Sequence, residues 1–287
     1  MKGFGAKEFG KFGMKSLMAR KLAWMLAACC ILSAAACWGD DFKVSAVEDL
    51  KALKLGTQRA TIAEGLAREM LGDKAGEQLT TYEKATDVIT ALKIGKVQAV
   101  IMDDAPANRF LKDTPGELTI LPEALTTEQY AIGFKKGNTE LCSQVNKAMA
   151  EIRADGTLAA IFEKYSDGVT VTPPEEIDVN KGAKGGKLYM GTESGFPPYD
   201  IKVGEGYTGI DVEMAAAIAR KLDKELVVIG MTFDSLPMAV NSGKVDMICA
   251  GITVTEDRKK NIEFSDPYVD AKQVAVVMTK NYAAPAK

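Results

Sequence analysis

The sequence predicts an α/β protein made of two lobes of similar construction, and three features lead there. Short apolar runs with strand character alternate with amphipathic helices along most of the chain, as expected of helices packed on parallel sheets. The stretch Ala91-Leu92-Lys93-Ile94-Gly95-Lys96-Val97 has a counterpart 148 residues on, Ala239-Val240-Asn241-Ser242-Gly243-Lys244-Val245. Each copy is a helix closed by glycine and feeding an apolar strand (99–102 and 247–250), so one building unit occurs twice. Between the two, 168–186 carries Pro173-Pro174 and a Gly/Lys-rich end and reads as a linker with little structure of its own.

After an Asp-rich start, Val47–Leu53 reads as a helical turn and Lys54–Gln58 as a strand. Thr61-Ile62-Ala63-Glu64 is a capping box that opens a helix to about Leu71, with Ile62, Leu66 and Met70 at helical spacing and Gly72 as the stop. A strand near Gln78–Tyr82 and a helix over Ala85–Ile94 follow. Val97–Met102 is almost wholly apolar, as a central parallel strand requires, and ends in Asp103-Asp104-Ala105-Pro106. A helix over Ala107–Lys112, strands at Leu118–Leu121 and Tyr130–Phe134, and helices over Thr139–Ala154 and Leu158–Tyr165 complete the part before the linker. Beyond it come a strand from Lys187 to Met190, a helix over Gly209–Asp223 with Met214, Ile218 and Leu222 on one face, and a strand at Leu226–Ile229. Asp234 is expected to cap the helix that begins at Leu236-Pro237, and Ala271–Met278 is the last strand.

The segment Gly191–Asp200 reads G-T-E-S-G-F-P-P-Y-D. Gly191 is expected to stop the strand, and Pro197 and Pro198 to forbid ladder pairing and an immediate helix. Glu193, Phe196 and Tyr199 would then stand on a stiff loop at the carboxyl end of a strand, where open α/β sheets bind ligands. A carboxylate and an aromatic ring three residues apart suit a small polar organic ligand. The plainer reading is a rigid surface loop with one packed ring.

Composition narrows the field. At 47% hydrophobic and 26% charged residues the chain is ordinary for a soluble globular protein. Residues 1–36 stand apart as a secretory signal: a basic stretch through Lys21, then the apolar, small-residue run Leu22–Ala36. The basic stretch is long, which makes Met14 and Met18 alternative starts. Leu26-Ala27-Ala28-Cys29 has the better residue types for a bacterial lipidation site, but Ala34-Ala35-Ala36-Cys37 leaves a full apolar region, and Cys37 is preferred. Plain cleavage after Ala36 is the third option. Without those residues, which carry six basic groups and one acidic group, the formal charge is −8, unsuited to nucleic acid. Cys142 and Cys249 lie isolated in apolar contexts and read as buried free thiols without metal-ligand spacing. No histidine occurs, which excludes Ser-His and Cys-His nucleophilic pairs and H-E-x-x-H zinc sites.

Five motifs carry a resemblance: Gly191-Thr192…Phe196-Pro197-Pro198-Tyr199, Gly209-Ile210-Asp211-Val212, Gly243-Lys244-Val245-Asp246, Thr253-Val254-Thr255-Glu256-Asp257-Arg258 and Phe264-Ser265-Asp266-Pro267-Tyr268. In this order they resemble the amino-terminal lobe of the bacterial polar amino-acid solute-binding proteins of ABC transporters. Leu55–Gly65, Gly95–Asp104 and Asn138–Tyr165 (with Ala154-Asp155-Gly156-Thr157) are similar to that family's later portion. The resemblance implies a two-lobe periplasmic-binding-protein-like fold (type II) with a ligand cleft between the lobes. It also implies circular permutation, since the Phe-Pro-Pro lobe comes first in the family and last here. On that reading 1–36 is a signal peptide, 37–46 a tether, 47–127 lobe 2, and 128–167 the C-terminal helical part of lobe 1. A permutation linker over 168–186 precedes the main part of lobe 1 over 187–280, and 281–287 is a tail. The chain would be opened between Met278 and Val47, cutting one of the family's two crossing strands and leaving a single covalent hinge near Thr126–Tyr130.

The ligand so implied is a free L-amino acid, bound without metal or cofactor. Arg258 would grip its carboxylate with two parallel bonds, assisted by Thr253 and the N–H groups of Gly251 and Thr253, beside Ala250. From the facing lobe Thr61, Ile62 and Ala63 would offer a helix N-terminus, and Asp103 would take the ammonium. A surface ion pair for Arg258 and a helix cap for Asp103 are the alternatives. Phe196 and Phe233 would sandwich the side chain, with core packing as their alternative, and Tyr199 is read as packing. Glu193 would pair a cationic side-chain end, favouring arginine or lysine, then histidine, with glutamine or cystine as neutral alternatives. The partner implied is an ABC permease, with the protein exported and, if Cys37 is modified, lipid-anchored. A sensor on the same scaffold, or a prephenate-type dehydratase with Glu193 as general acid, are rival readings.

Overall fold

The computed structural model describes residues 42–166 and 171–284. The expected signal segment and the candidate lipidation sites Cys29 and Cys37 lie outside the described residues. After a 3-10 turn at Val47–Ala52 come β1 (Leu55–Gln58), α1 (Ile62–Leu71), α2 (Ala75–Gln78), β2 (Leu79–Tyr82), α3 (Ala85–Lys93), β3 (Ala99–Asp103) and α4 (Asp104–Asp113). Then follow β4 (Leu118–Ile120), β5 (Thr126–Tyr130), β6 (Gly133–Lys135), α5 (Thr139–Ala154) and α6 (Thr157–Ser166). Past the linker are β7 (Lys187–Thr192), β8 (Gly195–Phe196), β9 (Asp200–Val203), β10 (Gly206–Thr208), α7 (Ile210–Lys221) and β11 (Glu225–Gly230). The last elements are α8 (Leu236–Ser242), β12 (Met247–Ile248), α9 (Glu256–Asn261), β13 (Ile262–Phe264) and β14 (Val269–Met278).

Two sheets organise these elements into two α/β lobes, as the sequence predicts. The first has the order β2-β1-β3-β14-β4, with β5 also on β14; the second has the order β11-β7-β12-β6-β13. All five residues of β3 are buried, at about 1.5–3 kcal/mol for each fully buried large side chain, which makes it the axis of its lobe. α5 and α6 pack on α7 in the second lobe. α1 turns Ala63, Ala67 and Leu71 to the sheet, one residue beyond the expected face. The two alanines fit under the helix where larger side chains would hold it off, and Ile62 is thereby left at the open end of the lobe.

The connection between the lobes differs from the expectation. β5 runs out of the first lobe and continues into β6 of the second, whereas β14 leaves β13 of the second lobe and ends between β3 and β4 of the first. The two strands pair antiparallel from Val269↔Tyr130 to Gln273↔Thr126. Both crossings are therefore covalently continuous, and no single-strand hinge results. Beyond the end of β14, inside the first lobe, residues 43–45 and 281–283 meet: Val44 N–H donates to Asn281 C=O at 2.9 Å, and Ala283 N–H to Val44 C=O at 2.9 Å. Pairing with β3 also puts Val269–Met278 in the first sheet rather than with the rest of 187–280.

Gly191 does not stop its strand. β7 continues to Thr192, because a residue without Cβ fits where one would lie 3.1 Å from both Leu236 and Val245. The expected loop is partly a small sheet, β10-β9-β8, which follows from the antiparallel pairs Gly195↔Ile201 and Phe196↔Asp200. Asp234 does not cap α8; its carboxylate reaches across the lobes to Arg59 at 3.4 Å. Cys142 and Cys249 are buried free thiols, as read from their contexts.

Candidate functional site

Three strand ends and two helix starts converge where the lobes meet. The narrow cleft between them is lined by Gln58, Thr61, Ile62, Asp103, Glu193, Phe196, Phe233, Ala250, Gly251, Thr253, Arg258 and Gln273. Every residue expected at the site lines it except Ala63, which packs beneath α1 at 1% exposure. Tyr199 stays behind the cleft, stacked on Phe196 with ring centroids 5.6 Å apart. Gln58 and Gln273 are the two lining residues that sequence reasoning missed. Both left a signal. Gln58 stands at the carboxyl end of its strand just as Asp103 does, and Gln273 falls in step with Ala271 and Ala275 on the inward side of a period-two strand.

The first lobe contributes an anion-seeking helix end and a carboxylate. Thr61 caps α1 by accepting from Glu64 N–H at 3.4 Å, and Glu64 Oε2 accepts in turn from Ala60 N–H at 2.7 Å. Such caps are worth about 1 kcal/mol, and the first N–H groups of the helix still face outward beyond it. Asp103 occupies the N-cap position of α4 but does not cap it. Its Oδ1 instead accepts from the Tyr130 hydroxyl and from Gln273 Nε2, the latter at 2.7 Å. Burial pushes this carboxyl up to about 7, with Glu128 adding to the rise and the Tyr130 and Gln273 bonds opposing it.

The second lobe contributes the guanidinium. α9 starts at Thr255, whose hydroxyl accepts from Arg258 N–H at 3.1 Å, and this turns Arg258 back toward the cleft. Arg258 Nη1 donates to Thr253 C=O at 2.9 Å, Nη2 donates to Ala60 C=O of the other lobe at 3.0 Å, and the guanidinium lies 5.5 Å from the Phe233 ring centre. A surface ion pair is therefore not its role. Two expected helpers are otherwise engaged. Gly251 N–H donates to the buried Asp211 Oδ2 at 2.9 Å, and the Thr253 hydroxyl donates to Glu128 Oε2 at 2.7 Å. Gly251 has φ +55, and a Cβ there would meet Phe196 at 2.5 Å, so only glycine lets that ring close the wall.

Glu193 is the second carboxylate of the cleft. Its Oε1 accepts from Gly195 N–H at 2.8 Å, and its Oε2 is buried without a hydrogen-bond partner among the described residues. Burial raises it to about 7, against the lowering pull of the Gly195 N–H, the Gln58 amide and Lys84. Behind it Asp200 and Asp211 are both buried: burial and the charge of Asp211 push Asp200 well up, and burial raises Asp211 to about 6.

These shifts fix a pH dependence. Asp103, Glu193 and Asp211 hold protons more tightly folded than unfolded, so their stabilising contribution is complete below about pH 4 and lost as pH rises toward 7. Asp49 and Asp155, whose carboxyls are held low by hydrogen bonds from neighbouring residues, act below pH 4. No histidine titrates in between. The unfolding free energy of the ligand-free protein is expected to fall between pH 4 and 7, by up to ~1.4 kcal/mol per pH unit for each group. Urea denaturation at the two pH values checks this; a level or rising profile would contradict it.

The description "Bacterial extracellular solute-binding proteins, family 3" belongs to the family model that matches residues 34–168 and 188–284. The chain is 41% identical over 99 residues to the arginine-binding extracellular protein ArtP of Bacillus subtilis, covering 34% of this chain and 39% of that one. It is 30% identical to the L-cystine-binding protein TcyJ of Escherichia coli over 44% of this chain and 47% of that one. A probable histidine-binding protein of Campylobacter jejuni is 32% identical over 33% of this chain and 37% of its own length. The match thus spans less than half the length of each of these relatives. With the family model matched on both sides of the linker, the chain belongs to the bacterial extracellular solute-binding proteins, family 3.

Proposed function

We propose that the cleft binds a basic L-amino acid, arginine or lysine ahead of histidine, and presents it to an ABC permease on the outer side of the membrane. The observation that carries this is the charge inventory: two buried carboxylates, Asp103 and Glu193, face one guanidinium, Arg258, around a single narrow cleft. A basic amino acid offers the complement, one carboxylate and two cations. Arg258 takes the carboxylate, Asp103 the α-ammonium and Glu193 the cationic side-chain end, with Phe196 and Phe233 along its stem. Cation–π attraction adds about 1 kcal/mol per ring. The second lobe holds the carboxylate and the side-chain end and the first lobe holds the α-ammonium, so all three are engaged only when the lobes are together, and ligand shifts the population toward that state. The arginine- and histidine-binding relatives support this choice. The cystine-binding relative supports a second reading, a neutral polar ligand such as cystine or glutamine on protonated Glu193. Glu193 is read as a ligand partner and not as the general acid of a dehydratase.

A permuted chain order is part of the proposal. The family match falls in two blocks parted at the linker, linear matches to relatives cover a third to under half of the chain, and Val44 bridges to Tyr282. Export, with a lipid anchor at Cys37, completes it.

Thermal-shift screening against the twenty amino acids, ornithine and cystine tests the ligand class. Arginine, lysine or ornithine is expected to raise the melting point, since a ligand at a hundred times its Kd stabilises by about 2.7 kcal/mol. A response to glutamine or cystine alone would favour the second reading. No response to any amino acid would overturn both.

A further inference from the structure

We propose that Gln273 is a second anchor for the ligand's α-ammonium, acting beside Asp103; this rests on the amino-acid reading above. Gln273 stands in the middle of β14, one of the two strands that join the lobes, is 1% exposed and lines the cleft. Its Nε2 donates to Asp103 Oδ1, the same oxygen that accepts the Tyr130 hydroxyl. Two donors converging on Oδ1 fix the plane of the carboxylate and leave Oδ2 for an incoming group. The bond to Asp103 also fixes the amide: with the nitrogen committed, Gln273 Oε1 is buried and has no hydrogen-bond partner among the described residues.

A buried amide oxygen without a donor is costly, and what relieves it here is an N–H arriving in the cleft. An ammonium carries three donors and can serve Asp103 Oδ2 and Gln273 Oε1 together, whereas a hydroxyl in its place has one donor and leaves one acceptor unmet. Gln273 thus favours α-amino acids over their α-hydroxy analogues. It is a positioning residue for Asp103 and a direct contact for the ligand.

Calorimetric titration of L-arginine and its α-hydroxy analogue into the wild type, Gln273→Met and Gln273→Glu at pH 8 tests the assignment. Met fills the space and offers no acceptor of comparable strength, so affinity is expected to drop roughly tenfold or more. Glu keeps an acceptor oxygen but sets a second carboxylate where Nε2 donated to Asp103 Oδ1, so it is expected to recover part of the affinity lost in Gln273→Met and to do so with uptake of a proton by the pair. Gln273→Met binding L-arginine as well as wild type would overturn the assignment, as would a loss in Gln273→Met that is equal for L-arginine and its α-hydroxy analogue, which is the mark of a merely structural role. If Gln273→Met is unstable, Gln273→Asn, which draws the same oxygen back by one methylene, serves instead. Wild type failing to bind any basic amino acid would remove the amino-acid reading itself. A wild type that binds, with an unaffected variant, removes only the role of Gln273.

Discussion

Replacing Arg258 by alanine is expected to weaken L-arginine binding by about 2–5 kcal/mol, or roughly thirtyfold to several thousandfold in Kd. The loss combines two effects. The ligand carboxylate forfeits a two-pronged, charge-assisted contact in a buried cleft, and the lobes forfeit the bond from Nη2 to Ala60 C=O that spans them at 3.0 Å. Arg258→Lys keeps the charge but not the planar fork, so it is expected to recover only part of the affinity. Isothermal titration calorimetry reads both variants. An Arg258→Ala protein that binds arginine within threefold of wild type would mean that the carboxylate is held elsewhere.

Glu193→Gln is expected to move stability and binding in opposite directions. In the free protein the substitution removes a carboxyl that burial has raised to about 7, so at pH 8 the variant should be more stable, by ~3 kcal/mol at most. Arginine binding should weaken by about 1.5–3 kcal/mol, the worth of a hydrogen bond to a charged group, while glutamine binding should hold or improve. That pattern, a site built at the expense of stability, is common where function needs a buried charge. Chemical denaturation and calorimetry on the same preparation give both numbers. Unchanged arginine affinity would move the cationic end of the ligand away from Glu193.

The lobes and most of the cleft were legible in the sequence because they rest on short-range signals. Apolar β3 ending in Asp103, the capping box at Thr61 and the helix start at Thr255 each place one site residue by local geometry alone. What escaped depends on partners far along the chain. The covalent continuity of both crossings turns on β14 pairing with β3 and β5, across separations that no local pattern encodes. The N–H of Gly251 looked available until Asp211, forty residues earlier, took it. Asp234 sits one residue before the Ser-Leu-Pro helix start and reads as a cap, yet Arg59 of the other lobe draws it away. Gln58 and Gln273 were passed over because a glutamine in a strand carries no charge to attract notice, although both polar ends matter once buried.

The ligand's orientation is the centre of this account, and a crystal structure of the protein grown with L-arginine measures it directly. The account predicts the carboxylate within hydrogen-bond distance of Arg258, the α-ammonium on Asp103, and the guanidinium against Glu193 between Phe196 and Phe233. Arginine lying reversed in the cleft, or bound away from it with Arg258 and Asp103 untouched, would contradict the account.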